Sequence, residues 1–227
     1  IKKIEKNQPY VTLKLACSID GKIATRLGQS KWISNNLSRN RVQLLRAKND
    51  AILVGTQTFK NDFPSLNLRN NFSSLRSPLR VFLDKTLSVV PPQKENSILK
   101  KEKTLIFHGN SFNKENKSIW KSLNVETIET KIENNKICIQ NVLERLASMG
   151  ILNLLIEGGG ILATNLLDKN LVDEIIIYTS GLILGNSSIP SFTNILDNST
   201  NLSDFPKFYL SGSTVLGDNL ETIWHRI

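Results

Sequence analysis

The feature that most restricts how this chain can fold is the apolar run Leu152-Asn-Leu-Leu-Ile156, followed at once by Glu157-Gly-Gly-Gly160 and then by Ile161 to Leu167. A strand that passes through glycines into an apolar helix is a βα junction, the unit of proteins that alternate strands and helices around a mostly parallel sheet. Glycines at such a junction let a ligand approach the backbone, and the amides at a helix start attract phosphate or pyrophosphate. A tight turn without a ligand is the plainer reading, although three consecutive glycines exceed what turning alone requires. The spacing fits neither G-x-G-x-x-G nor G-x-x-x-x-G-K-[ST], so a nucleotide site here need not be of the Rossmann or phosphate-loop kind.

The rest of the chain agrees with this architecture. Tyr10 to Cys17 has the β-branched and aliphatic content of a buried strand, closed by the turn signal Asp20-Gly21. Ser34 to Lys48 carries Leu37, Val42, Leu44 and Leu45 at roughly helical spacing, with Ser34 as the expected N-cap. Asp50 to Gly55 predicts a second buried strand, and Thr56 to Asn61 a helical turn that stops before Phe63-Pro64. Leu79 to Asp84, Thr104 to Phe107 and, more weakly, Val125 to Ile128 read as further strands, while the Asn- and Lys-rich Asn110 to Asn135 is expected to hold surface loops. Ile139 to Met149 sets Val142, Leu143, Leu146 and Met149 on one helical face. Asp173 to Thr179 is another strand, and Phe205 to Ile227 alternates around Gly212 and Gly217 as terminal antiparallel strands do. The expected class is α/β, with a mostly parallel central sheet, antiparallel C-terminal strands and flanking helices.

At 227 residues, 40% of them hydrophobic, one domain is the default, with residues 1–9 a linker or trimmed segment and 10–227 the domain. The first residue is Ile1 and the single methionine is Met149, which favours a C-terminal part of something longer. Cys17 and Cys138 are far apart in apolar runs, with neither disulfide nor metal spacing, and suit a reducing, cytoplasmic setting. No stretch has the length of a membrane span. The net charge of +9 is spread without a basic arm, so a small anionic substrate and an anionic cofactor are better partners for it than nucleic acid. His108 and His225 lack metal-ligand neighbours in sequence and are expected to be structural or surface residues, with no metal site.

Several residues invite a chemical reading. Glu157 ends a strand where open α/β sheets contact ligands, although the helix dipole alone would satisfy a carboxylate there. Lys14 lies within an apolar strand and needs a partner, a ligand or a wet face. Asp62, in the loop after the second strand, is either a functional carboxylate or a cap. The Ser30-Lys31-Trp32 turn offers a hydroxyl and an aromatic plate, although a tryptophan there is on generic grounds more often a core anchor.

These residues occur in ordered motifs: Lys14-Leu-Ala-Cys-Ser18-Ile-Asp20-Gly21-Lys-Ile-Ala24, Gly28-Gln-Ser30-Lys-Trp32-Ile, Arg46-Ala-Lys-Asn-Asp50-Ala-Ile-Leu-Val-Gly55, Asp62-Phe-Pro64-Ser-Leu66-Asn-Leu-Arg69, Glu157-Gly-Gly-Gly160-Ile-Leu162 and Leu171-Val-Asp173-Glu174. Together they resemble, over essentially the whole chain, the reductase domain of the bacterial bifunctional riboflavin deaminase/reductase family. The resemblance implies a dihydrofolate reductase-like fold and NADPH-dependent reduction of 5-amino-6-(5-phosphoribosylamino)uracil to its phosphoribitylamino form. It implies cofactor contacts from Ala16, Trp32, Thr58, Asp62, Lys85 and the turn Gly159, Gly160, Ile161 and Leu162 running on to Asn165. It implies substrate contacts from Ser30, Arg46, Leu66, Arg69, Glu157 and Lys14, and a catalytic group made of Asp62, Lys14 and Glu157. Lys85, after the strand ending at Asp84, would suit a 2′-phosphate. Two departures stand out: a common Asp-Asp-Pro is here Asp62-Phe63-Pro64, and the H-x-E and P-C-x-x-C signatures of the family's N-terminal zinc deaminase are absent. A homo-oligomer is expected from the resemblance. A dihydrofolate reductase acting on a pterin and an inactive nucleotide-binding module are the rival readings; Ser30 and Arg69 speak against the first, Lys14, Asp62 and Glu157 against the second.

Overall fold

The computed structural model describes residues 2–69, 72–92, 99, 102–193, 195 and 201–227. In chain order its elements are α1 (Lys2–Lys6), β1 (Tyr10–Ser18), β2 (Lys22–Ala24), α2 (Asn36–Ala47), β3 (Ala51–Val54), α3 (Thr56–Asp62), β4 (Leu79–Leu83), β5 (Thr104–His108), α4 (Lys114–Ser122), β6 (Glu126–Glu129), β7 (Ile132–Glu133), β8 (Lys136–Ile137), α5 (Ile139–Ser148), β9 (Asn153–Glu157), α6 (Gly160–Asp168), β10 (Glu174–Ser180), β11 (Ile189–Pro190), β12 (Phe208–Leu216) and β13 (Asn219–Arg226). The class is the expected α/β, mostly parallel with antiparallel C-terminal strands. The chain divides into two compact units, one of Ile1–Tyr10 and Leu45–Leu155, the other of Val11–Leu44 and Ile156–Ile227.

In the first unit the strand order is β9-β3-β4-β5-β6, with β3, β4, β5 and β6 paired in parallel. Every residue of β3 and β5 is buried, as in strands covered on both faces. Phe59 of α3 stacks on Phe82 of β4 with 4.0 Å between centroids and lies 5.8 Å from Trp120 of α4. Phe63, the residue that replaces an aspartate of the family pattern, takes a left-handed backbone with φ 39° and lies parallel to Trp120 at 6.2 Å. Aromatic pairs of this kind are worth about 0.5–1.5 kcal/mol beyond the area they bury, so Phe63 contributes packing where the resemblance would place a carboxylate.

Three sequence expectations are corrected here. Asn110 to Asn135 is not merely surface loop, for it contains α4, β6 and the β7/β8 hairpin. Asn113 caps α4 by accepting from the Asn116 amide at 2.9 Å, and the buried Trp120 donates its indole N–H to the Val89 carbonyl at 3.1 Å. Its Asn and Lys content records the solvated face, while one tryptophan anchors the other. Met149 is not on the buried face of its helix. It is the C-cap of α5 and is exposed, and the buried stripe is Ile139, Val142, Leu143 and Leu146. Gly150, at φ 92°, donates to the Ala147 carbonyl and Ile151 to that of Leu146, the Schellman pattern that ends a helix before its apolar period runs out. The strand after it starts at Asn153 rather than Leu152, because the Asp50 carboxylate accepts from the amides of both residues at 2.9 Å.

In the second unit the order is β12-β13-β10-β1. β1 and β10 run parallel, placing Lys14 opposite Ile176 and Ala16 opposite Tyr178, while β10 pairs antiparallel with β13 so that Tyr178 faces Glu221. β12 and β13 form an antiparallel hairpin turned by the left-handed Gly217 at φ 68°. The N-cap of α2 is Asn35 rather than Ser34. Asn35 accepts from the Ser38 amide at 2.9 Å and donates to the Leu216 carbonyl at 2.6 Å, so a contact with the hairpin selects the capping residue.

Candidate active site

Within the second unit, Lys14 lies on β1 with its ammonium 5.8 Å from the centroid of the Tyr178 ring. The Tyr178 hydroxyl donates to Glu221 at 2.8 Å, and Glu221, itself buried, accepts from Arg41 at 3.1 to 3.4 Å. Burial and then the Glu221 carboxylate push the Tyr178 phenol far above its ordinary range, and the charge of Glu157 pushes in the same direction. The phenol is thus held as the donor to Glu221. The Arg41 guanidinium is in turn raised by its bond to Glu221. Glu157 is the last residue of β9; of the residues expected from sequence, Lys14 lies by the Tyr178 ring and the charge of Glu157 acts on its phenol, while Tyr178, Glu221 and Arg41 were missed. A glutamate in the last strand is an ordinary sequence feature; only the β10/β13 register makes it the acceptor of a buried phenol.

The three glycines after Glu157 have different reasons. A Cβ on Gly160 would lie 2.9 Å from the Pro190 carbonyl oxygen, so packing alone requires that glycine. A Cβ on Gly158 would meet the Leu162 side chain at 3.1 Å. On Gly159 a Cβ would meet nothing within 4 Å, and its φ of −75° suits any residue, so neither packing nor conformation explains it. Helix geometry leaves the first amides of α6 without intrahelical partners. The Leu162 amide donates to the Gly159 carbonyl at 3.2 Å and its side chain is buried, which leaves Gly160 and Ile161 as the first-turn amides that helix geometry itself does not pair. Ser30 is exposed, and its carbonyl accepts from the Ile33 amide at 3.2 Å. Trp32 is no core anchor: it is 72% exposed, with the Arg39 guanidinium 4.5 Å from its ring centroid. Ala16 is half-buried on β1.

Asp20 holds this unit's first loop together. It accepts from Ser18 at 2.5 Å and from the amides of Leu184 and Gly185 at 3.1 and 2.8 Å, and these bonds, led by that of Ser18, lower its carboxyl to about 2. Cys17 is buried and free, and burial pushes its thiol up, which makes it an inert residue.

Within the first unit, Thr58 lies in the first turn of α3 and Asp62, exposed, is its last residue. The segment that follows has no regular structure and is held by arginines. Arg46 donates to the Asn67 carbonyl at 3.2 Å, and Arg69 donates to the Asn67 side chain at 3.2 Å and to the Ser65 hydroxyl. Arg80 of β4 donates to the Ser65 carbonyl at 3.2 Å. Leu66 has φ 50° and a side chain only 3% exposed, a member of the core around Phe59, so a ligand could meet its backbone but not its side chain. The Lys85 ammonium donates to the Asn135 side chain at 2.6 Å, at the turn of the β7/β8 hairpin. His108 is fully buried, with Nδ1 2.7 Å from the Gly109 carbonyl oxygen, and His225 of the other unit lies 3.8 Å from Glu174. Among the described residues no group of three or more His, Cys, Asp or Glu could hold a metal ion, and no helix is long and apolar enough to cross a membrane.

The chain is an α/β protein with a strand–glycine–helix junction in one unit and a loop held by arginines in the other. Residues 9–220 match the family model described as the RibD C-terminal domain. The riboflavin biosynthesis protein RibD of Buchnera aphidicola subsp. Baizongia pistaciae is 35% identical over 228 residues, which cover 95% of this chain and 59% of that protein. Acinetobacter baumannii RibD has the same fold with a TM-score of 0.83 at 25% identity, over 100% of this chain and 60% of that one. A Thermotoga maritima diaminohydroxyphosphoribosylaminopyrimidine deaminase/5-amino-6-(5-phosphoribosylamino)uracil reductase follows with a TM-score of 0.78 at 25% identity, over 100% of this chain and 59% of that one. The chain thus spans less than two thirds of the length of these relatives. It belongs to the RibD C-terminal domain family and has a dihydrofolate reductase-like fold.

Proposed function

We propose that this chain reduces 5-amino-6-(5-phosphoribosylamino)uracil to 5-amino-6-(5-phosphoribitylamino)uracil with NADPH, in riboflavin biosynthesis. The observation that carries the reading is the family match over residues 9–220, which contains every candidate residue from Lys14 to Leu162. The reductase activity named for the Thermotoga maritima protein, of the same fold, supports the substrate. The open space at Gly159 beside the α6 amides supports a dinucleotide, since nothing in the protein itself asks for glycine there. NADPH, when bound, supplies hydride from its nicotinamide.

The chain's own residues bind, orient and move protons. In this reading Gly159, Gly160 and Ile161 take the cofactor phosphates, Ala16, Trp32, Thr58 and Asp62 make further cofactor contacts, and Lys85 takes the 2′-phosphate. Arg69, Arg46 and Ser30 take the substrate phosphate, charge-assisted bonds being the strong ones. Lys14 and Glu157 fix the pyrimidine, and the backbone at Leu66 completes its seat. Asp62 would hand a proton to the ring oxygen as the nitrogen lone pair expels it, opening the ribosylamine to a C1′ iminium, the form whose reduction needs only a hydride. A deaminase supplies the substrate in this reading, and the enzyme works in the cytoplasm as a homo-oligomer; the exposed Tyr209, Leu210 and Val215 of the edge strand β12 support the last point.

The test follows NADPH oxidation by absorbance with the uracil and with dihydrofolate. Oxidation with the uracil alone is expected; oxidation with dihydrofolate alone would replace the substrate, and oxidation with neither would remove the activity. Asp62→Asn is expected to lower kcat much more than NADPH affinity, and an equal loss of both would end its acid/base role.

A further inference from the structure

We infer that Arg80 is a positioning residue that sets the substrate-binding loop from behind. The inference rests on the phosphate-binding role proposed for Arg69. Arg80 interrupts the apolar strand β4 and is only 2% exposed. Burying a guanidinium has a substantial desolvation cost, which an aliphatic residue at this place in the strand would avoid. What the arginine gains is reach in two directions. One nitrogen donates to the Glu102 carbonyl at 3.1 Å and to the Thr104 hydroxyl at 2.5 Å, on the side of β5. The other donates to the Ser65 carbonyl at 3.2 Å, in the loop. A planar guanidinium serves such divergent acceptors at once, whereas a lysine ammonium on its flexible stem does not.

Ser65 joins the two arginines. Its carbonyl is held by Arg80 and its hydroxyl receives the Arg69 guanidinium, so Arg69 is docked on a residue whose peptide plane is fixed from the strand below. The adjoining residues would otherwise hold poorly. Phe63 and Leu66 both occupy left-handed backbone at φ 39° and 50°, conformations that non-glycine residues adopt only at a cost, and regular backbone pairing is missing between Phe63 and Arg69. Arg80 therefore acts through Ser65 on the aim of Arg69, without touching the substrate.

The experiment has two readouts. Amide exchange of residues 63–69 is compared in the wild-type chain and in Arg80→Met and Arg80→Lys. Loss of a hydrogen bond to a charged group is expected to speed exchange in the loop by about tenfold or more in Arg80→Met, with β3 and β5 unchanged. Unaltered loop exchange would overturn the inference whatever the substrate proves to be. At saturating NADPH, KM for the phosphorylated substrate is expected to rise by about tenfold in Arg80→Met with kcat nearly preserved, and by less for the dephosphorylated riboside. Arg80→Lys, which keeps the charge and is the variant less prone to misfold, is expected to recover only part of this. Adding Arg69→Ala to Arg80→Met should cost little beyond Arg69→Ala alone, since both act through one contact. Equal losses on both substrates, or full additivity, would make Arg80 a structural residue only. A wild-type chain that does not turn over the uracil would sink the proposed reaction, and loop exchange would still decide what Arg80 does.

Discussion

The loop Phe63 to Arg69 in the first unit and the Arg41–Glu221–Tyr178 chain in the second both use arginines, but they end on different partners. The bonds that Arg46, Arg69 and Arg80 make to the loop fall on carbonyl, amide and hydroxyl oxygens, all neutral. Arg41 falls on a buried carboxylate, which also takes the Tyr178 phenol. Within the loop, neutral acceptors fix the aim of each guanidinium through hydrogen bonds rather than through a second charge. The Glu221 chain is neutralised within itself, and what it offers is rigidity behind Lys14.

The largest test of this contrast is to remove the centre of each arrangement. Glu221→Leu leaves a buried phenol and a guanidinium without their acceptor and is expected to cost about 3 kcal/mol in denaturant unfolding. In Arg80→Met the Ser65 and Glu102 carbonyls and the Thr104 hydroxyl lose a donor, and the expected cost is less than about 2 kcal/mol. A larger cost for Arg80→Met would break the comparison. Next come the glycines, where the second unit is closed at one residue and open at its neighbour. Gly160→Ala, with its Cβ 2.9 Å from a backbone oxygen, should lower the melting temperature and lose about 1–3 kcal/mol. Gly159→Ala should leave melting unchanged and weaken NADPH binding by about tenfold in a fluorescence titration, the loss of roughly one charge-assisted bond. Unchanged binding would mean that no ligand approaches there.

Smaller effects sharpen the same picture. Tyr178→Phe removes one neutral donor from Glu221 and should cost about 1 kcal/mol, leaving Arg41 in place. Asp20 tests the loop end of the second unit. Its carboxyl is lowered from 3.8 to about 2 in the folded chain, so its contribution is complete above pH 4 and is lost as pH falls through 2. Asp20→Asn should therefore flatten the stability profile between pH 4 and 2 and leave it unchanged at pH 7 in its pH-dependent part. An identical acid profile in wild type and variant would remove that role.

Much of this was legible in the residues. Lys14 stood out because a charge inside an apolar strand demands an explanation, and the same argument applied to Arg80 in Leu79 to Leu83 would have found it. Glycine-rich Glu157 to Gly160 announced a junction, but not that Gly160 answers to Pro190 and Gly159 to nothing in the protein. The Asn- and Lys-rich segment hid α4, because composition reports the wet face of a helix and a single Trp120 holds the other.

By itself the sequence determined what depends on neighbours along the chain: the apolar runs of the strands, the stripe of α5, the glycine stops and the motifs that place the family. Tertiary structure alone decided what depends on neighbours across it. Glu221 meets Tyr178 over 43 residues and Arg41 over 180. Asn35 rather than Ser34 caps α2 because a hairpin 181 residues away receives it. The Leu66 side chain, at a left-handed backbone position, is buried in the core around Phe59, which leaves only its backbone for a ligand. Periodicity and propensity are properties of short windows, whereas hydrogen-bond partnership and burial are fixed only when register brings distant strands and loops together.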